Sequence, residues 1–556
     1  MLPASARNVI GYCICAVLGA GTLFAGSELY AQSAPDTVLS TLTTGTHPWL
    51  ADGGRFADVQ RLVRDTRAAD TTGILRWTTA QGGAARLVQP MLRYIDTDSE
   101  TSRTERADVA TLDSLRQRFI TAPATATERG LFDLAIDIVI ARHAFVHRQG
   151  RVDPTRVHPE WAMQAPDLDL GRVRDLLMSD TDPVTVFREL EPQTVAYQQL
   201  VAALATVRAQ SADTAQRLPR APARSITLGA KYADARALAR VLVRLGELPS
   251  AFPEASAKTT YTKPLFDAVA RWQNRKIKKG RVTGALTAPV LAALLSEYNG
   301  REARIAMAIE RWRWMPRAFA NTPLVVNLPE YRLHTYGRFQ GDSADPLGMN
   351  VVIGRADSNA TPVFSANMTQ VVFSPQWHVP KSIMLNEILP AALSDTGYLN
   401  KHNYELTTRN HKPLPNTRKN IAKIGTGVMV RQRSGDDNAL GKVKFLLPNA
   451  YDIYLHDTPS RSLFSRVRRD FSHGCVRLGN PMAMAKYVLA SQPVWTESKI
   501  TEAMNSGVET FVRVPKPIPV LIVYQTAVSD PDGAIRYFND VYGHDRTLGE
   551  ALGKAR

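Results

Sequence analysis

Cysteine is scarce in this sequence, and its scarcity excludes one class of fold at once. Only three of the 556 residues are cysteines, too few for a small scaffold stapled by disulfides. Glycine and proline, at 34 residues each, are near their average frequencies, which excludes collagen-like and low-complexity chains. Charged residues make up 22% and hydrophobic residues 44%, a balance that excludes wholesale disorder. A chain this long is expected to form roughly three or four compact units.

Long apolar runs are also missing, apart from one near the N-terminus. Val9 to Ala25 is mostly apolar, about as long as the hydrophobic part of a secretory signal and short for a membrane span. Polar sequence follows directly, so we expect residues 1–31 to be an export signal, with an uncleaved membrane anchor or a buried core helix as alternatives. Cleavage would remove Cys13 and Cys15 and leave Cys475.

The remaining cysteine lies in a segment suited to nucleophilic chemistry. Cys475 follows Gly474 within residues 471–477, which read Phe-Ser-His-Gly-Cys-Val-Arg. The glycine allows a sharp turn in which backbone N–H groups converge on an oxyanion. An Asn-Pro pair at 480–481 predicts the start of a helix, and this helix end together with Arg477 is expected to favour the thiolate. A buried, inert cysteine is the alternative.

A candidate base lies upstream of this segment. Ile453 and Leu455 alternate with Tyr454 and His456, a pattern that predicts a strand ending at His456. A cysteine and a histidine on neighbouring elements are the parts of an activated thiol. Such pairs also arise by accident, so this pair gains its weight from the sequence around it.

The sequence around both residues resembles a known active-site signature. His456-Asp-Thr and Ser472-His-Gly-Cys-Val-Arg477 resemble the signature of the L,D-transpeptidases, whose catalytic domain is of the YkuD type and which cross-link the peptide stems of bacterial peptidoglycan. Further segments are similar to the large, multidomain periplasmic branch of that family: 310–317, 374–380 and 442–464. The resemblance covers about residues 310–525. Asp457 departs from the smaller members of the family, which often have glycine at this position.

The resemblance implies a role for each residue of the signature. Cys475 would be the nucleophile, and His456 would be the base that takes the thiol proton. The backbone carbonyl of Asp457 would orient the imidazole, and the N–H groups of Gly474 and Cys475 would bind the oxyanion. His473 would shape the loop rather than act as a second base.

Four more residues are candidates for substrate binding: Ser472, Tyr454, Trp377 and Arg477. Arg477 either supports the loop through an ion pair or binds a substrate carboxylate. Trp377 either walls the cleft or belongs to the core. Five arginines against two aspartates between His456 and Arg477 would make the cleft basic, which suits the free carboxylates of stem peptides. The resemblance implies no cofactor and no metal.

The whole chain predicts a multidomain α+β protein. We expect a helical scaffold domain over 46–225, a three-helix module resembling peptidoglycan-binding domains over 226–298, a β-rich YkuD-like catalytic domain over 310–525 and a C-terminal extension over 526–556. The module either binds peptidoglycan or is purely structural. Residues 381–440 are expected to form a lid insertion, helix-like at first and then a long mobile loop.

Three histidines of the scaffold region suggest a metal site at first sight. His143 and His147 are spaced i, i+4, and His158 follows them. The sequence indicates no acidic third ligand, so packed or solvated histidines are expected instead.

The expected function is that of a periplasmic cysteine L,D-transpeptidase that forms cross-links through a thioester made from a tetrapeptide stem. Carbapenem-type inhibitors are expected to acylate the same cysteine, and an uncleaved N-terminus would anchor the protein to the inner membrane. A hydrolase or carboxypeptidase, or an enzyme that joins proteins to the wall, would use the same Cys–His pair, and a non-catalytic peptidoglycan-binding scaffold is a further alternative. Nucleic-acid binding is not expected despite the net charge of +16, because no nucleic-acid motif is present and the basic residues are dispersed among acidic ones.

Overall fold

The structure, a computed structural model, describes residues 47–555 apart from 51–55, 70–74, 99, 180, 213–216, 277–281 and 396. The expected export signal at 1–31, with Cys13 and Cys15, lies outside the described residues. None of the helices that are described is both long and apolar enough to cross a membrane.

The N-terminal part is helical and packs around one buried helix. Its helices α1–α7 span Phe56–Ala69, Val88–Thr97, Arg103–Thr121, Ala126–Gln149, Leu170–Met178, Pro183–Leu190 and Val195–Ala212. Capping boxes built on Ser102 and Thr125 fix the starts of α3 and α4. Residues 130–147 of α4 are all buried, so this helix is the axis around which the others pack.

Three further helices enclose a small core of their own. Helices α8–α10 span Ala235–Arg244, Lys263–Lys276 and Ala288–Asn299. Leu238, Leu265 and Leu291 meet in their centre. The chain leaves α8 through Gly246, whose φ of 73° is the left-handed value typical of a glycine that follows a helix. The helices lie where the sequence predicts a three-helix module, and its binding role stays a prediction.

A buried helix connects the helical part to the β-rich part. Helix α11 spans Arg301–Trp314, packs against α7 and carries the buried Arg313. The Arg313 guanidinium lies 2.9 Å from Glu100 Oε2 and 3.2 Å from Glu191 Oε1. Two carboxylates of the helical part therefore hold the helix that leads to the first strand.

The C-terminal part is β-rich. Strands β1–β15 span Leu324–Asn327, Arg332–Thr335, Met349–Gly354, Phe364–Phe373, Trp377–His378, Tyr404–Thr408, Pro413–Leu414, Val428–Gln432, Val443–Leu446, Leu455–His456, Asp470–Ser472, Val476–Leu478, Thr510–Val523, Ala527–Ser529 and Ile535–Tyr537. Helices α12–α19 span Tyr336–Gln340, Lys381–Ile383, Leu389–Ser394, Tyr398–Lys401, Arg418–Ile421, Pro481–Leu489, Glu497–Asn505 and His544–Ala555. The predicted α+β class, helical first and β-rich afterwards, is confirmed.

The main sheet closes on itself. Its strands run in the order β11-β3-β12-β10-β9-β4-β13-β1-β2, and β3 also pairs with β2. This additional pairing joins the two sides of the sheet into a barrel, with β11 attached outside the ring. Aliphatic and aromatic side chains fill its interior, among them Val326, Phe373 and Leu455.

Strand β13 is longer than the sequence predicts. The apolar run 520–524 indicates a strand, and the structure extends it back to Thr510. Prolines at 515, 517 and 519 argue against a strand because they donate no ladder hydrogen bond. The pairing of β13 with β4 shifts register between Arg513 and Ile518, so two of the prolines fall where the ladder is interrupted.

The insertion at 381–440 is a small folded unit, so the expectation of a long loop within it is wrong. Strands β5–β8 form a separate sheet in the order β5-β8-β6-β7. Leu406, Ile421 and Val430 are buried in a core that belongs to this unit. Its strands are two to five residues long, too short for the alternation of polar and apolar residues to be recognised among many turn-forming residues.

The C-terminal residues return to the body of the protein. Strands β14 and β15 form a hairpin, and α19 packs against α11. Arg311 of α11 pairs with Asp545 of α19 at 2.8 Å.

Candidate active site

Two adjacent parallel strands bring Cys475 and His456 to one face of the sheet. In the pairing of β10 with β12, Leu455 lies opposite Val476, and His456 lies opposite Arg477. Leu455 and Val476 are fully buried in the barrel core. Because side chains alternate along a strand, Cys475, His456 and Arg477 share the opposite face.

The imidazole of His456 is held in one tautomer. Its Nδ1 lies 2.5 Å from the carbonyl oxygen of Asp457, so Nδ1–H donates and the lone pair of the neutral ring is on Nε2. The backbone of Leu440 is a second hydrogen-bond partner of the ring. Burial and, to a lesser extent, the positive charge of Arg477 lower the pKa of His456 to about 3. The ring is therefore neutral at physiological pH and is able to accept a proton.

The carboxylate of Asp457 accepts hydrogen bonds that fix the backbone around His456. Its Oδ1 accepts from Arg461 Nη2 at 2.5 Å, and its Oδ2 accepts from the Lys442 amide at 2.9 Å. Gly441, with a φ of 60°, packs directly against this carboxylate. The aspartate thus orients His456 through its carbonyl, while its carboxylate fixes that carbonyl in position.

The thiol of Cys475 is half-buried and protonated at rest. Its Sγ lies 3.6 Å from the carbonyl oxygen of Asp452, and the hydroxyl and amide of Tyr454 hydrogen-bond the sulfur. Burial raises the pKa of Cys475 to about 11, outweighing the lowering by Tyr454 and Arg477. The segment was expected to favour the thiolate, whereas burial of the sulfur favours the protonated thiol.

Side-chain hydroxyls shape the turn around the cysteine. Ser472 Oγ donates to the Cys475 carbonyl at 2.6 Å and accepts from the Gly474 amide at 3.2 Å. Thr361 Oγ1 donates to the Gly474 carbonyl at 2.6 Å and accepts from the Gly354 amide at 2.9 Å. The Gly474 amide, predicted as an oxyanion donor, is thus already engaged. The Cys475 amide has no hydrogen-bond partner among the described residues, so of the two predicted donors it is the free one.

His473 faces the insertion rather than the sulfur. Its Nε2 lies 2.6 Å from Glu387 Oε1 and 3.1 Å from Arg355 Nη2. Glu387 belongs to a π-helical turn of the insertion, Met384–Ile388. His473 therefore ties the cysteine loop to the insertion, in keeping with a loop-shaping role.

The position of Trp377 fits both interpretations of its role, as a wall of the cleft and as a core residue. It lies in β5, packs against the core of the insertion and remains half-buried. Its indole N–H also donates to the Tyr454 hydroxyl, which in turn contacts Cys475. The ring therefore forms one wall beside the thiol at the base of the insertion.

Four of the five arginines counted in the sequence are used within the loop. Arg461 pairs with Asp457, Arg468 pairs with Asp470, Arg469 donates to backbone carbonyls, and Arg466 lies over the ring of Phe471. Arg477 differs, because it has no ion-pair partner within the described part of the chain and its buried Nε has no hydrogen-bond partner. Two of the five positive charges are thus paired with aspartates, and Arg477 is the arginine of this set that shares the face of Cys475 and His456, where its guanidinium suits a ligand carboxylate.

Several residues around the site were not found from the sequence: Arg355, Thr361, Glu387, Lys444, Asp452 and Tyr542. Lys444 lies opposite His456 in the pairing of β9 with β10. The Tyr542 hydroxyl accepts from the Thr361 amide at 3.2 Å and donates to the Gly354 carbonyl at 2.8 Å. Of these residues, only Asp452 could have been suspected from its residue type, because aspartate tolerates turn conformations such as the φ of 53° found here. The others reach the site from distant parts of the chain.

The histidines of the helical part separate into two groups. His158 lies against Trp161 and His544, away from His143 and His147. His143 and His147 both contact Asp98 Oδ2 at 3.3 Å. Both histidines are packed, as expected, but no local pattern indicates their acidic neighbour, because Asp98 comes from 45 residues earlier in the chain than His143.

Comparison with known proteins agrees with this geometry. Residues 322–496 match the family model of the L,D-transpeptidase catalytic domain, YkuD, and residues 69–204 match that of a Scaffold domain. A curated protein named "Putative L,D-transpeptidase" from Haemophilus influenzae is 33% identical over 247 residues, which cover 44% of this chain and 48% of that protein. The chain thus spans about half the length of this relative. It therefore carries a Scaffold domain followed by an L,D-transpeptidase catalytic domain of the YkuD family.

Proposed function

We propose that this protein is a cysteine L,D-transpeptidase that cross-links peptidoglycan stems through a thioester on Cys475. The observation that carries the proposal is the shared face of β10 and β12, where Cys475 lies diagonally across from a neutral His456 held by the Asp457 carbonyl. The catalytic-domain match and the name of the relative support the same reaction class.

The first half-reaction makes the acyl-enzyme. His456 Nε2 takes the proton from Cys475 Sγ as the sulfur attacks the carbonyl that precedes the terminal D-residue of a tetrapeptide stem. The free amide of Cys475 stabilises the negative charge that develops on the carbonyl oxygen. The C–N bond then breaks, and His456 returns the proton to the departing amine.

The second half-reaction transfers the acyl group to an amine. The amine of a neighbouring stem attacks the thioester carbonyl and gives a proton to His456 Nε2. The C–S bond breaks, a new amide bond forms, and the imidazolium returns its proton to the Cys475 thiolate. No step needs a group beyond the two side chains and the backbone amide.

Arg477 is proposed to bind a carboxylate of the stem. Its guanidinium shares a face with the reacting pair and has no acidic partner among the described residues. A bound carboxylate would also compensate the positive charge of Arg477, which adds to the effect of burial in lowering the pKa of His456. Arg477 is thus expected to affect both substrate affinity and the basicity of the imidazole.

The proposed substrate implies a periplasmic protein. Residues 1–31 would then be the export signal or an inner-membrane anchor, and the α8–α10 module would bind the polymer. Carbapenem-type inhibitors are proposed to form the same acyl linkage with Cys475.

Incubation of the purified mature protein with a disaccharide-tetrapeptide, followed by mass spectrometry, tests the proposal. A dimer that has lost one D-residue is expected, and Cys475→Ser serves as the inactive control. Loss of the D-residue without a dimer would instead indicate a hydrolase or carboxypeptidase. An unchanged substrate with a folded protein would contradict the proposal.

A further inference from the structure

We propose that the helical part of the protein contains a zinc site formed by Asp98, His143 and His147. The site lies outside the catalytic domain and does not depend on the proposed reaction. Asp98 caps the end of α2, and the two histidines lie one turn apart on the buried helix α4. Two histidines at i, i+4 on one helix face form a common half of zinc sites.

The distances between the three candidate ligand atoms fit a zinc ion. His143 Nε2 and His147 Nε2 are 3.2 Å apart, and each lies 3.3 Å from Asp98 Oδ2. A tetrahedral zinc with bonds of about 2.0–2.1 Å separates its ligands by about 3.3 Å. The three atoms therefore occupy three corners of such a tetrahedron.

The surroundings of His147 are those of a metal ligand. Its other ring nitrogen, Nδ1, lies 2.9 Å from Glu191 Oε1, so Nδ1–H donates and Nε2 presents its lone pair to the other two atoms. A carboxylate behind a ligating histidine is the usual second contact at zinc sites. Asp98 is also fixed, since its Oδ1 accepts from the Glu100 amide at 2.8 Å and its Oδ2 from the Tyr94 hydroxyl at 2.7 Å.

The charge around the cluster favours a cation. Within the described residues, the ion pairs linked to it contain four carboxylates and two guanidiniums: Asp98, Glu100, Glu105, Glu191, Arg151 and Arg313. This leaves two negative charges in a buried region, which a divalent cation would balance. Shared protons between the two imidazoles and Asp98 are the competing explanation.

A zinc ion here would join three separate helices. It would tie the end of α2 to α4 directly, and through His147 to Glu191 at the end of α6. Glu191 also binds Arg313 of α11. The ion would therefore stabilise the helical part and its attachment to the helix that leads into the barrel.

Metal binding is best measured on the full chain carrying Cys13→Ala, Cys15→Ala and Cys475→Ala, because these substitutions remove all three thiols as competing ligands. After treatment with a chelator, zinc is added and the desalted protein is analysed by inductively coupled plasma mass spectrometry. One zinc per chain, a raised Tm and a tetrahedral visible spectrum with cobalt are expected.

The ligand variants are Asp98→Asn, His143→Gln and His147→Gln, and each should weaken binding by about 100-fold or more. Glu191→Gln should weaken it by about 10- to 100-fold while keeping the stoichiometry. His334→Gln is the matched control, because His334 also contacts two carboxylates, Glu330 and Asp345, but through opposite ring nitrogens.

Two results would overturn the proposal. The first is a folded chain that stays metal-free at micromolar zinc and shows no cobalt spectrum, which would assign the cluster to shared protons. The second is equal zinc binding by the ligand variants and by His334→Gln. The first measurement uses the unmodified cluster, so it decides the question even if a ligand variant fails to fold.

Discussion

At neutral pH, a thiol with a pKa of about 11 and an imidazole with a pKa of about 3 are both uncharged. In the proposed reaction, Cys475 therefore loses its proton to His456 during the attack rather than before it. Cysteine enzymes with a resting thiolate–imidazolium pair differ in this respect.

This resting state predicts how alkylation of Cys475 depends on pH. Iodoacetamide reacts with the thiolate, and a raised pKa keeps that form rare until the pH approaches 11, so the rate should keep rising above pH 9. Mass spectrometry of the modified peptide measures the rate. A plateau between pH 5 and 8 would instead indicate a preformed ion pair.

The roles of Cys475, His456 and His473 predict unequal losses. Cys475→Ser and His456→Ala should each lower turnover by about 10³-fold or more, and the double variant should be little worse, because the two act as one unit. His473→Ala is the matched histidine control and should lose less than about tenfold, since its contacts are with Glu387 and Arg355. A larger loss in His473→Ala than in His456→Ala would contradict the assignment of His456 as the base and point to His473 instead.

The contact between Gly441 and Asp457 predicts an indirect effect on the base. In Gly441→Ala, the added Cβ overlaps the Asp457 carboxylate, so the carbonyl that holds His456 should move and turnover should fall by about 10- to 100-fold. Gly507→Ala is the control, because Gly507 has a φ of 69° but open space at its Cβ position. Both variants should lower the Tm, with only Gly441→Ala losing turnover. Equal turnover in the two would contradict the orienting role.

At this scale, the sequence located the two residues that are proposed to react but not their ionisation. Cys475 and His456 could be found because the glycine, the cysteine and the end of the strand are local signals. Burial decides the pKa values, and burial depends on how the barrel packs. The engaged Gly474 amide was missed for a similar reason, since Ser472 Oγ can reach it only in this turn.

Among the elements, the insertion differs most from its predicted form. A deletion of residues 402–427, which would suit a loop, would remove β6 and β7 together with core residues such as Leu406 and Ile421. A single contact is therefore the better test of whether the insertion acts as a lid.

The contact between Glu387 and His473 predicts a modest, substrate-dependent effect. Both side chains are partly exposed, so their contact contributes about 1 kcal/mol or less, and Glu387→Gln should change turnover by at most about fivefold. Turnover on polymeric peptidoglycan should fall, while acylation by a carbapenem should stay within about twofold, because a small ligand needs less remote positioning. Glu497→Gln, which breaks the exposed pair with Lys486, is the control. Equal losses on both substrates would contradict the lid interpretation.

Helices were predicted more readily than strands for a physical reason. The four apolar residues Phe132, Ile136, Val139 and Val146 lie within a long run whose composition indicates a buried helix. Strands such as β7, with two residues, take their identity from their partners in the sheet. The prolines of β13 argue locally against a strand. The barrel accommodates them through one interruption of the hydrogen-bond ladder between β13 and β4.

For the molecule as a whole, the C-terminal residues belong to the catalytic unit. Tyr542 lies beyond the predicted end of the catalytic domain at 525, yet its hydroxyl joins Thr361 to Gly354 beneath the cysteine loop. The predicted boundary thus omits a residue that supports the site. No local sequence pattern indicates a contact between two residues that are 181 positions apart in the chain.

Tyr542→Phe tests this support. The variant loses two partly buried hydrogen bonds, so the free energy of unfolding should fall by about 1–3 kcal/mol and acylation of Cys475 should slow. Denaturant unfolding and carbapenem acylation measure the two effects. Tyr487→Phe is the control, since the Tyr487 hydroxyl has no hydrogen-bond partner in the described residues. Similar behaviour of the two variants would remove Tyr542 from the site.

The position of β13 also governs the order in which the protein can form. Of the barrel strands it is the last to be synthesised, yet it lies between β4 and β1. Until residues 510–523 emerge, the ring stays open at two unpaired edges, and such edges bind other chains. The helical part, whose contacts are more local, can fold well before that point. During synthesis there is therefore an interval in which the helical part is folded but the barrel is still open. The length of that interval determines how long the open sheet is exposed to aggregation.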